Sequence, residues 1–173
     1  MADIHSIFKT KFSSYASTLE ATSYDNEKNE HLCKDTTSKV YDFDKIVKDK
    51  HPQKQPSSYD ALLFQNNKVF CIEFKNQKYS DIDRSEIKKK LTNGKDVLDT
   101  ILEENNIPKK DYKFVFCVAY NTRADRCKRG IAKNEIQFEL SSYVPKYFDE
   151  VYTNDVEFFK NQYKKVLKKE LVC

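Results

Sequence analysis

Glycine is almost absent from this sequence, with two residues in 173. Glycine-rich loops that cradle phosphates need several glycines at fixed spacings, so the sequence contains neither such a loop nor a dinucleotide-binding fingerprint. Long apolar runs are lacking too. No segment approaches the length of a membrane span, and the N-terminus has no apolar core typical of a signal peptide. We therefore expect a soluble, cytoplasmic protein without a membrane partner.

The cysteines do not form a recognisable metal-binding pattern. There are five, at positions 33, 71, 117, 127 and 173, and none has the Cys-x-x-Cys spacing. Cys71 and Cys117 lie inside apolar, strand-forming runs, where a free thiol packs as a small hydrophobe. This pattern favours reduced thiols in the cytosol over a zinc cluster. His31 and Cys33 are either a small metal site or ordinary loop residues.

Arginine is scarce, because only four of the 31 basic residues are arginines. Three of these four lie within seven residues, in a segment that also contains two lysines: Arg123, Arg126, Lys128, Arg129 and Lys133. Forked guanidinium groups suit contacts with phosphates. The segment therefore predicts a surface that binds a nucleic-acid backbone, and a solvated basic loop is the alternative. The net charge of +4 gives no indication of partners by itself.

The stretch from Ser57 to Lys75 predicts a β-hairpin that carries two carboxylates and a lysine on one face. Two strand-forming runs flank the segment Gln65-Asn66-Asn67-Lys68, and asparagine tolerates the positive φ angles of a two-residue turn. Pairing of Gln65 with Lys68 places Asp60 opposite Glu73, and Lys75 then shares the face of Glu73. Facing carboxylates repel each other, and a divalent cation with oxygen ligands would offset that cost.

The pattern of Asp60, twelve intervening residues and Glu73-Phe74-Lys75 resembles the PD-(D/E)xK signature of restriction-endonuclease-like phosphodiesterases. It departs from that signature at Tyr59, where the motif usually has proline. The resemblance implies that Asp60, Glu73 and the Phe74 carbonyl bind Mg²⁺ or Mn²⁺. It also implies that Lys75 orients the attacking water or helps to deprotonate it. The alternative is a surface hairpin with an incidental Asp and Glu.

Glu20 is the candidate for a further acid at this site. In restriction-endonuclease-like folds the first helix often supplies one more acid that reaches the metal or orients its water. Glu20 ends the amphipathic pattern of the first predicted helix and matches that role by position. A solvent-facing residue near a helix end is the equal alternative.

Periodicity along the chain predicts the element order helix, strand, strand, strand, helix, strand. The predicted elements are a helix at 3–20, a strand at 38–47, the two hairpin strands, a helix at 82–104 and a central strand at 112–120. This order is the αβββαβ core of the restriction-endonuclease-like fold, an α/β fold whose central mixed sheet is flanked by helices. The resemblance implies this core across roughly residues 3–120, with the helix as the crossover between parallel neighbours.

The sequence predicts one domain over residues 1–173. Its C-terminal segment, 133–171, is predicted to contain a strand at 135–140 and a helix at 154–171. In the strand predicted at 38–47, Asp42 and Asp44 share a face. They form either the wet face of an edge strand or a second metal site.

The resemblance implies a metal-dependent endonuclease that hydrolyses nucleic acid, with DNA favoured over RNA. Lys88 and Lys95, on the predicted helix 82–104, are further candidates for contacts with the substrate backbone. Two alternatives remain open: a catalytically inactive binding or immunity module on the same fold, and an RNA-cleaving toxin domain. Double-strand cutting of the restriction type would need a homodimer.

Overall fold

The structure, a computed structural model, describes residues 3–121 and 135–156, together with Lys160 and Lys164. The helices in this part of the chain are α1 (Ile4–Lys11), α2 (Leu19–Thr22), α3 (Phe43–Lys50) and α4 (Arg84–Glu104). The strands are β1 (Ala16–Thr18), β2 (Tyr24–Asp25), β3 (Glu30–His31), β4 (Lys39–Asp42), β5 (Ala61–Gln65), β6 (Lys68–Lys75), β7 (Lys113–Tyr120) and β8 (Glu150–Asp155). Short 3₁₀ helices cover Ser13–Tyr15, Tyr79–Asp81, Lys109–Asp111 and Leu140–Tyr143.

Six of these strands form one mixed sheet in the order β1-β4-β5-β6-β7-β8. Neighbours are antiparallel from β1 to β6 and parallel from β6 to β8. β2 and β3 form a separate antiparallel ribbon. The prediction of an α/β fold with a central mixed sheet and flanking helices is confirmed. Within the described residues, no helix combines the length and the apolarity needed to cross a bilayer.

The hairpin of β5 and β6 has the predicted register. Gln65 pairs with Lys68, and the ladder continues to the pair of Ala61 with Ile72. Asn66 has φ 51°, in the left-handed region that asparagine tolerates in tight turns. Asp60 lies one residue before β5, and its N–H donates to the Ile72 carbonyl at 2.9 Å. The ladder ends at the pair of Ala61 with Ile72, and this bond keeps Asp60 beside the residue that precedes Glu73.

The parallel pair of β6 and β7 is connected through α4, as predicted. Asp83 caps this helix by accepting from the backbone N–H groups of Ser85 and Glu86. The buried residues of α4, including Ile87 and Leu98, pack on one face of the sheet. A second cluster of buried side chains covers the opposite face. The central strand β7 is consequently buried on both faces, which explains its nearly continuous apolar sequence.

The N-terminal helix is shorter than predicted, because α1 ends at Lys11 rather than continuing to residue 20. Residues Ala16–Thr18 instead pair with β4 and form the edge of the sheet. Thr18 then caps α2 by accepting from the N–H of Ala21 at 3.1 Å. Sheet pairing has overridden the helical spacing of the apolar residues in this segment.

The strand predicted at 38–47 ends at Asp42, and the remaining residues form α3. Asp42 accepts from the N–H of Lys45 at 3.0 Å, which is the bond of an N-cap residue. Asp44 accepts from the Ser58 hydroxyl at 2.8 Å. The two acids therefore cap a helix and fix a loop. They do not share the face of a strand, so the wet face of an edge strand is wrong and the shared face on which the second metal site was predicted is absent here.

The C-terminal prediction is also corrected. Residues 135–140 form no strand, because Phe138 and Glu139 both have φ near 60° and a 3₁₀ helix begins at Leu140. The sixth strand is β8, in which Val151 and Thr153 are buried. The helix predicted from residue 154 begins after β8 has ended at Asp155, with Val156 helical, and most of it lies outside the described residues.

Two of the three described cysteines are free and buried, as predicted for Cys71 and Cys117. Burial raises the pKa of the Cys71 thiol to about 12, so this group packs as an apolar side chain. Cys33 is instead disulfide-bonded. The prediction of reduced thiols is therefore wrong at Cys33.

Tyr59, which replaces the proline of the motif, is fully buried and anchors the start of the hairpin. Its ring stacks on Phe43 with centroids 4.6 Å apart. Its hydroxyl donates to the Gly94 carbonyl of α4 at 3.3 Å. A Cβ added at Gly94 would lie 2.5 Å from the Tyr59 ring, so glycine is required for this close approach. Tyr59 thus connects the residue before Asp60 to the crossover helix.

We expect Gly94→Ala to lower the free energy of unfolding by as much as about 2 kcal/mol. Alanine gains roughly 1 kcal/mol of helix propensity, but overpacking against the buried, stacked Tyr59 ring costs about 1–3 kcal/mol. Urea unfolding of both proteins measures the difference. Gly94→Ala combined with Tyr59→Leu is the control, since the shorter side chain should relieve the clash. A Gly94→Ala protein more stable than the wild type would contradict this explanation.

Candidate functional site

Asp60, Glu73 and Lys75 lie together at one end of the hairpin, on the sheet face that α4 covers. Lys75 Nζ is 3.4 Å from Glu73 Oε1. Lys90 of α4 reaches both acids, because its Nζ lies 2.8 Å from Glu73 Oε1 and 3.9 Å from Asp60 Oδ1. The structure thus brings the three motif residues together and adds a second ammonium group between the carboxylates.

Lys90 was not identified from the sequence, although a signal was present. It lies three residues after Ile87 and four before Gly94, at the helical spacing that marks the buried face of α4. A lysine on such a stripe needs an acidic partner. Glu86, one turn earlier, completes the cluster by accepting from Lys75 Nζ at 2.8 Å. The site therefore holds three carboxylates and two ammonium groups.

Glu73 is completely buried and only half satisfied. Its Oε1 accepts from Lys90, but Oε2 has no hydrogen-bond partner among the described residues. Burial raises the pKa of the Glu73 carboxyl, against the opposing effect of Lys90 and Lys75. An unsatisfied buried carboxylate oxygen costs the fold free energy. Such a cost points to a role other than stability.

The backbone of the neighbouring strand β6 fixes the Asp60 side chain. The backbone N–H of Phe74 donates to Asp60 Oδ2 at 2.6 Å. Burial first, and the charge of Glu73 second, raise the pKa of Asp60 well above its ordinary value. Burial lowers the pKa of a lysine, but Glu73 and Asp60 outweigh that effect and raise the pKa of Lys90. The two acids and Lys90 are thus electrostatically coupled.

The donor set fits a hard divalent cation. Oδ2 of Asp60 and Oε1 of Glu73 accept hydrogen bonds, while Glu73 Oε2 is orphaned and Asp60 Oδ1 has Lys90 only at 3.9 Å. Carboxylate oxygens are the ligands of Mg²⁺ and Mn²⁺, and Mg²⁺ keeps several waters beside one or two carboxylates. Within the described residues, no three His, Cys, Asp or Glu side chains form a metal-binding group. A cation here would therefore depend on two carboxylates, backbone carbonyls and water.

Glu20 lies in the first turn of α2, half-buried, and no contact joins its side chain to Asp60 or Glu73. Its backbone fixes the neighbouring chain, because its N–H donates to the Asp35 carbonyl and its carbonyl contacts His31 Nδ1 at 2.7 Å. His31 and the disulfide-bonded Cys33 do not form a metal site. The role predicted for Glu20 stays a prediction.

The two lysines predicted to contact the substrate backbone differ in exposure. Lys88 is about one-third exposed and pairs with Glu139 on the outer surface of α4. Lys95 is buried, paired with Asp99, and its Nζ lies 4.3 Å from the Phe114 ring centroid. The expectation that Lys95 faces a bound backbone is corrected, because the side chain packs inward. The segment with Arg123, Arg126, Lys128 and Arg129 lies outside the described residues, so its phosphate contacts stay a prediction.

A cleft of about 350 Å³ opens beside the carboxylate cluster. One wall is formed by Asp60 and by Lys75 with the residues that follow it. The other wall is the segment 22–27, which contains the end of α2 and strand β2. Asp60 and Lys75 line this cleft with side chains that are 24% and 12% exposed, whereas the Glu73 side chain is completely buried. A substrate in this cleft would meet the motif lysine and one of the acids directly.

Glu73→Gln is expected to be more stable than the wild type near neutral pH in EDTA, with an advantage that shrinks on acidification. The folded protein binds protons at Asp60 and Glu73 more tightly than the unfolded chain, because their pKa values are raised. The free energy of unfolding contributed by these groups therefore falls as the pH rises. Glutamine resembles the protonated acid, so the fall in the free energy of unfolding with rising pH is removed at position 73. Urea unfolding at about pH 8 and about pH 5 measures the change.

Glu139→Gln is the matched control for this measurement. Hydrogen bonding and charge from Lys88 lower the pKa of Glu139, so its ionised form stabilises the fold and that contribution is lost as the pH falls. This variant should be slightly less stable than the wild type near pH 8. Equal or lower stability of Glu73→Gln at both pH values would contradict the strained carboxylate cluster.

Comparisons with known proteins gave no match: no protein-family model fits the chain, and neither the curated proteins nor the solved structures include one with significant similarity.

Proposed function

We propose that this protein is a metal-dependent endonuclease that hydrolyses phosphodiester bonds in nucleic acid, with DNA favoured over RNA. The proposed site is of the PD-(D/E)xK type and consists of Asp60, Glu73 and Lys75. The observation that carries the proposal is the buried Glu73, whose Oε2 has no partner in the described chain although Asp60 and two lysines surround the group. Costly ionisable groups grouped beside a cleft are typical of catalytic sites.

The order of the elements supports a restriction-endonuclease-like core in this proposal. A helix, α1, precedes the antiparallel strands β4, β5 and β6, with the additional helix α3 between β4 and β5, and the crossover α4 leads to the parallel strand β7. The motif residues lie on the second and third of these strands, or next to them, as in the αβββαβ arrangement. The hairpin register and the element order are separate observations, and both agree with the same site.

Each side chain has a distinct part in the proposed reaction. Asp60 and Glu73 would hold Mg²⁺ or Mn²⁺ through Asp60 Oδ1 and Glu73 Oε2, the oxygens left without close donors. When bound, the cation supplies Lewis-acid polarisation of the scissile phosphate and stabilises charge on the leaving oxygen. Lys75 lines the cleft and would orient the attacking water and stabilise negative charge on the phosphate. Lys90 would hold Glu73 in place through the ion pair between them.

A binding module on the same fold is the second candidate, and one observation favours it. Lys75 and Lys90 already contact the carboxylates, so the cluster is compensated without a cation. Buried ion-pair clusters of this kind also occur in purely structural roles. Such a module would bind its partner and leave every phosphodiester bond intact.

Incubation of the purified protein with nucleic acids distinguishes the two candidates. Supercoiled plasmid, linear duplex, single-stranded DNA and tRNA are each tested with Mg²⁺, with Mn²⁺ and with EDTA. The nuclease proposal predicts cleavage of at least one substrate with a divalent cation and none in EDTA. Binding without cleavage under every condition would contradict the nuclease and favour the module.

A further inference from the structure

The cleft beside Lys75 has the dimensions of a site for one small group. Its volume of about 350 Å³ is near the lower end of the range of about 300–1,000 Å³ for small-molecule sites. A duplex is far too large to enter it, since the major groove of DNA alone is about 12 Å wide. A single unstacked nucleotide is of the right size. The substrate strand at Lys75 would carry such a nucleotide directly into the cleft.

Tyr24 presents an aromatic ring on the far wall of this cleft. Its side chain is 39% exposed, and only Tyr152 among the large apolar side chains of the described residues is equally exposed. The ring packs against His31 with centroids 4.7 Å apart, and its hydroxyl donates to Asn29 Oδ1. The ring is therefore held in place in a residue that is partly exposed and lines the cleft. Stacking of a base on such a ring contributes about 1–3 kcal/mol.

Hydrogen bonds connect the wall that carries Tyr24 to the ends of strands β6 and β7. The buried Asn76, next to Lys75, donates to Glu30 Oε1 at 2.9 Å and accepts from Asn121 Nδ2 at 2.7 Å. Lys28 Nζ donates to the Asn76 carbonyl. These bonds tie the ribbon of β2 and β3 to the ends of β6 and β7. The cleft is thus formed before a ligand arrives, which lowers the entropic cost of binding.

The charges in the cleft favour a base over a phosphate. Asp25 and Glu27 line the wall that carries Tyr24, and Asp25 Oδ1 accepts from the backbone N–H groups of Glu27 and Lys28. Carboxylates repel phosphate but accept hydrogen bonds from the amino groups of bases. Lys75, on the opposite wall, is the basic group that suits the backbone. The phosphate would therefore lie against the wall that carries Lys75, and its base against the wall that carries Tyr24.

We propose that this cleft binds one unstacked nucleobase, with Tyr24 as its stacking platform. This inference rests on the proposed function and narrows its substrate class to single-stranded nucleic acid or to a nucleotide extruded from a duplex. Tyr24 is a specificity-determining residue in this account. A perfectly paired duplex would gain nothing from Tyr24 unless one nucleotide leaves the stack.

Fluorescence titration with a short single-stranded oligonucleotide that carries 2-aminopurine tests the inference. Ca²⁺ replaces Mg²⁺ as the oxygen-bound cation during binding, and cleavage in Mg²⁺ is measured separately. Stacking on Tyr24 should quench the fluorescence of the wild type. Tyr24→Ala should lose the quench and bind about 5- to 150-fold more weakly, as expected for the loss of one stacked base. Tyr24→Phe should restore both signals.

Tyr152→Ala is the matched control, because Tyr152 has the same exposure but lies on β8 and pairs with Glu150. It should bind as the wild type does. Equal binding and quenching by Tyr24→Ala and Tyr152→Ala, or no binding of the single strand by the wild type, would overturn the base site. Quenching without cleavage would contradict the nuclease alone. Cleavage without any effect of Tyr24→Ala would overturn the base site alone.

Discussion

Replacing Lys75 by methionine is expected to lower the rate of metal-dependent cleavage by about 10²- to 10⁴-fold, the usual contribution of a positioned group that moves a proton or stabilises transition-state charge. Methionine keeps the length of the side chain and removes its charge. Lys75 lines the cleft together with Asp60 and lies 3.4 Å from Glu73 Oε1, so it is the cationic group of the motif that a substrate in the cleft would meet. Single-turnover rates with saturating cation measure the effect.

Lys68→Met is the control, because Lys68 begins the same strand and forms a comparable ion pair with Glu150 at 3.0 Å. Its cleavage rate should equal that of the wild type. The melting temperature of Lys75→Met is measured in parallel, since loss of the ammonium group leaves Glu73 with Lys90 alone. A folded Lys75→Met protein that cleaves as fast as Lys68→Met would exclude the proposed role of Lys75.

Mn²⁺ or Mg²⁺ is expected to raise the melting temperature of the wild type by about 5–10 °C at a concentration 100 times the dissociation constant. Ligand binding at that concentration stabilises a fold by about 2.7 kcal/mol, and about 1 kcal/mol corresponds to roughly 2–4 °C for a chain of this size. The cation would satisfy Glu73 Oε2 and offset the repulsion between Asp60 and Glu73. Differential scanning fluorimetry across a cation titration measures the shift.

Glu73→Gln should lose most of this response, whereas Glu139→Gln, an exposed acid outside the cluster, should retain it. Lys90→Met tests two effects of the Lys90 charge, which are its attraction to Glu73 and its competition with the cation. Without cation this variant should be less stable, because the buried Glu73 loses its closest partner. With cation its melting temperature should rise more than that of the wild type, because one positive charge has left the site. An identical response in the wild type and Glu73→Gln would contradict cation binding at this cluster.

The hairpin was predictable because its register depends on local features of the sequence. The turn at Asn66 and the alternation of side chains place Asp60, Glu73 and Lys75 on one face, and no distant contact is needed to establish this. The crossover helix α4 and the central strand β7 were predictable for a similar reason, since long and strongly periodic or apolar segments are the clearest signals.

Two of the three parts that sequence reasoning missed depend on contacts between distant segments. Lys90 was one of three consecutive lysines, and only the packing of α4 on the hairpin turns it towards Glu73. Tyr59 counted against the motif, yet it fills the space that Gly94 leaves open. The segment 38–47 had strand-forming composition, but the capping bond of Asp42 begins a helix there. At Lys90 and Tyr59 a tertiary contact decided between local alternatives, whereas the bond that begins the helix at Asp42 is itself local.

The most direct measurement is cleavage by the wild type and by Glu73→Gln, purified in parallel and assayed on the same substrate with Mg²⁺ and then with EDTA. We expect the wild type to cleave until the cation is chelated, and Glu73→Gln to cleave at a rate at least about 10²-fold lower, because it loses one of the two carboxylates proposed to hold the cation. Equal cleavage by both proteins, or no cleavage of any nucleic acid by the wild type, would contradict the nuclease site at Asp60, Glu73 and Lys75.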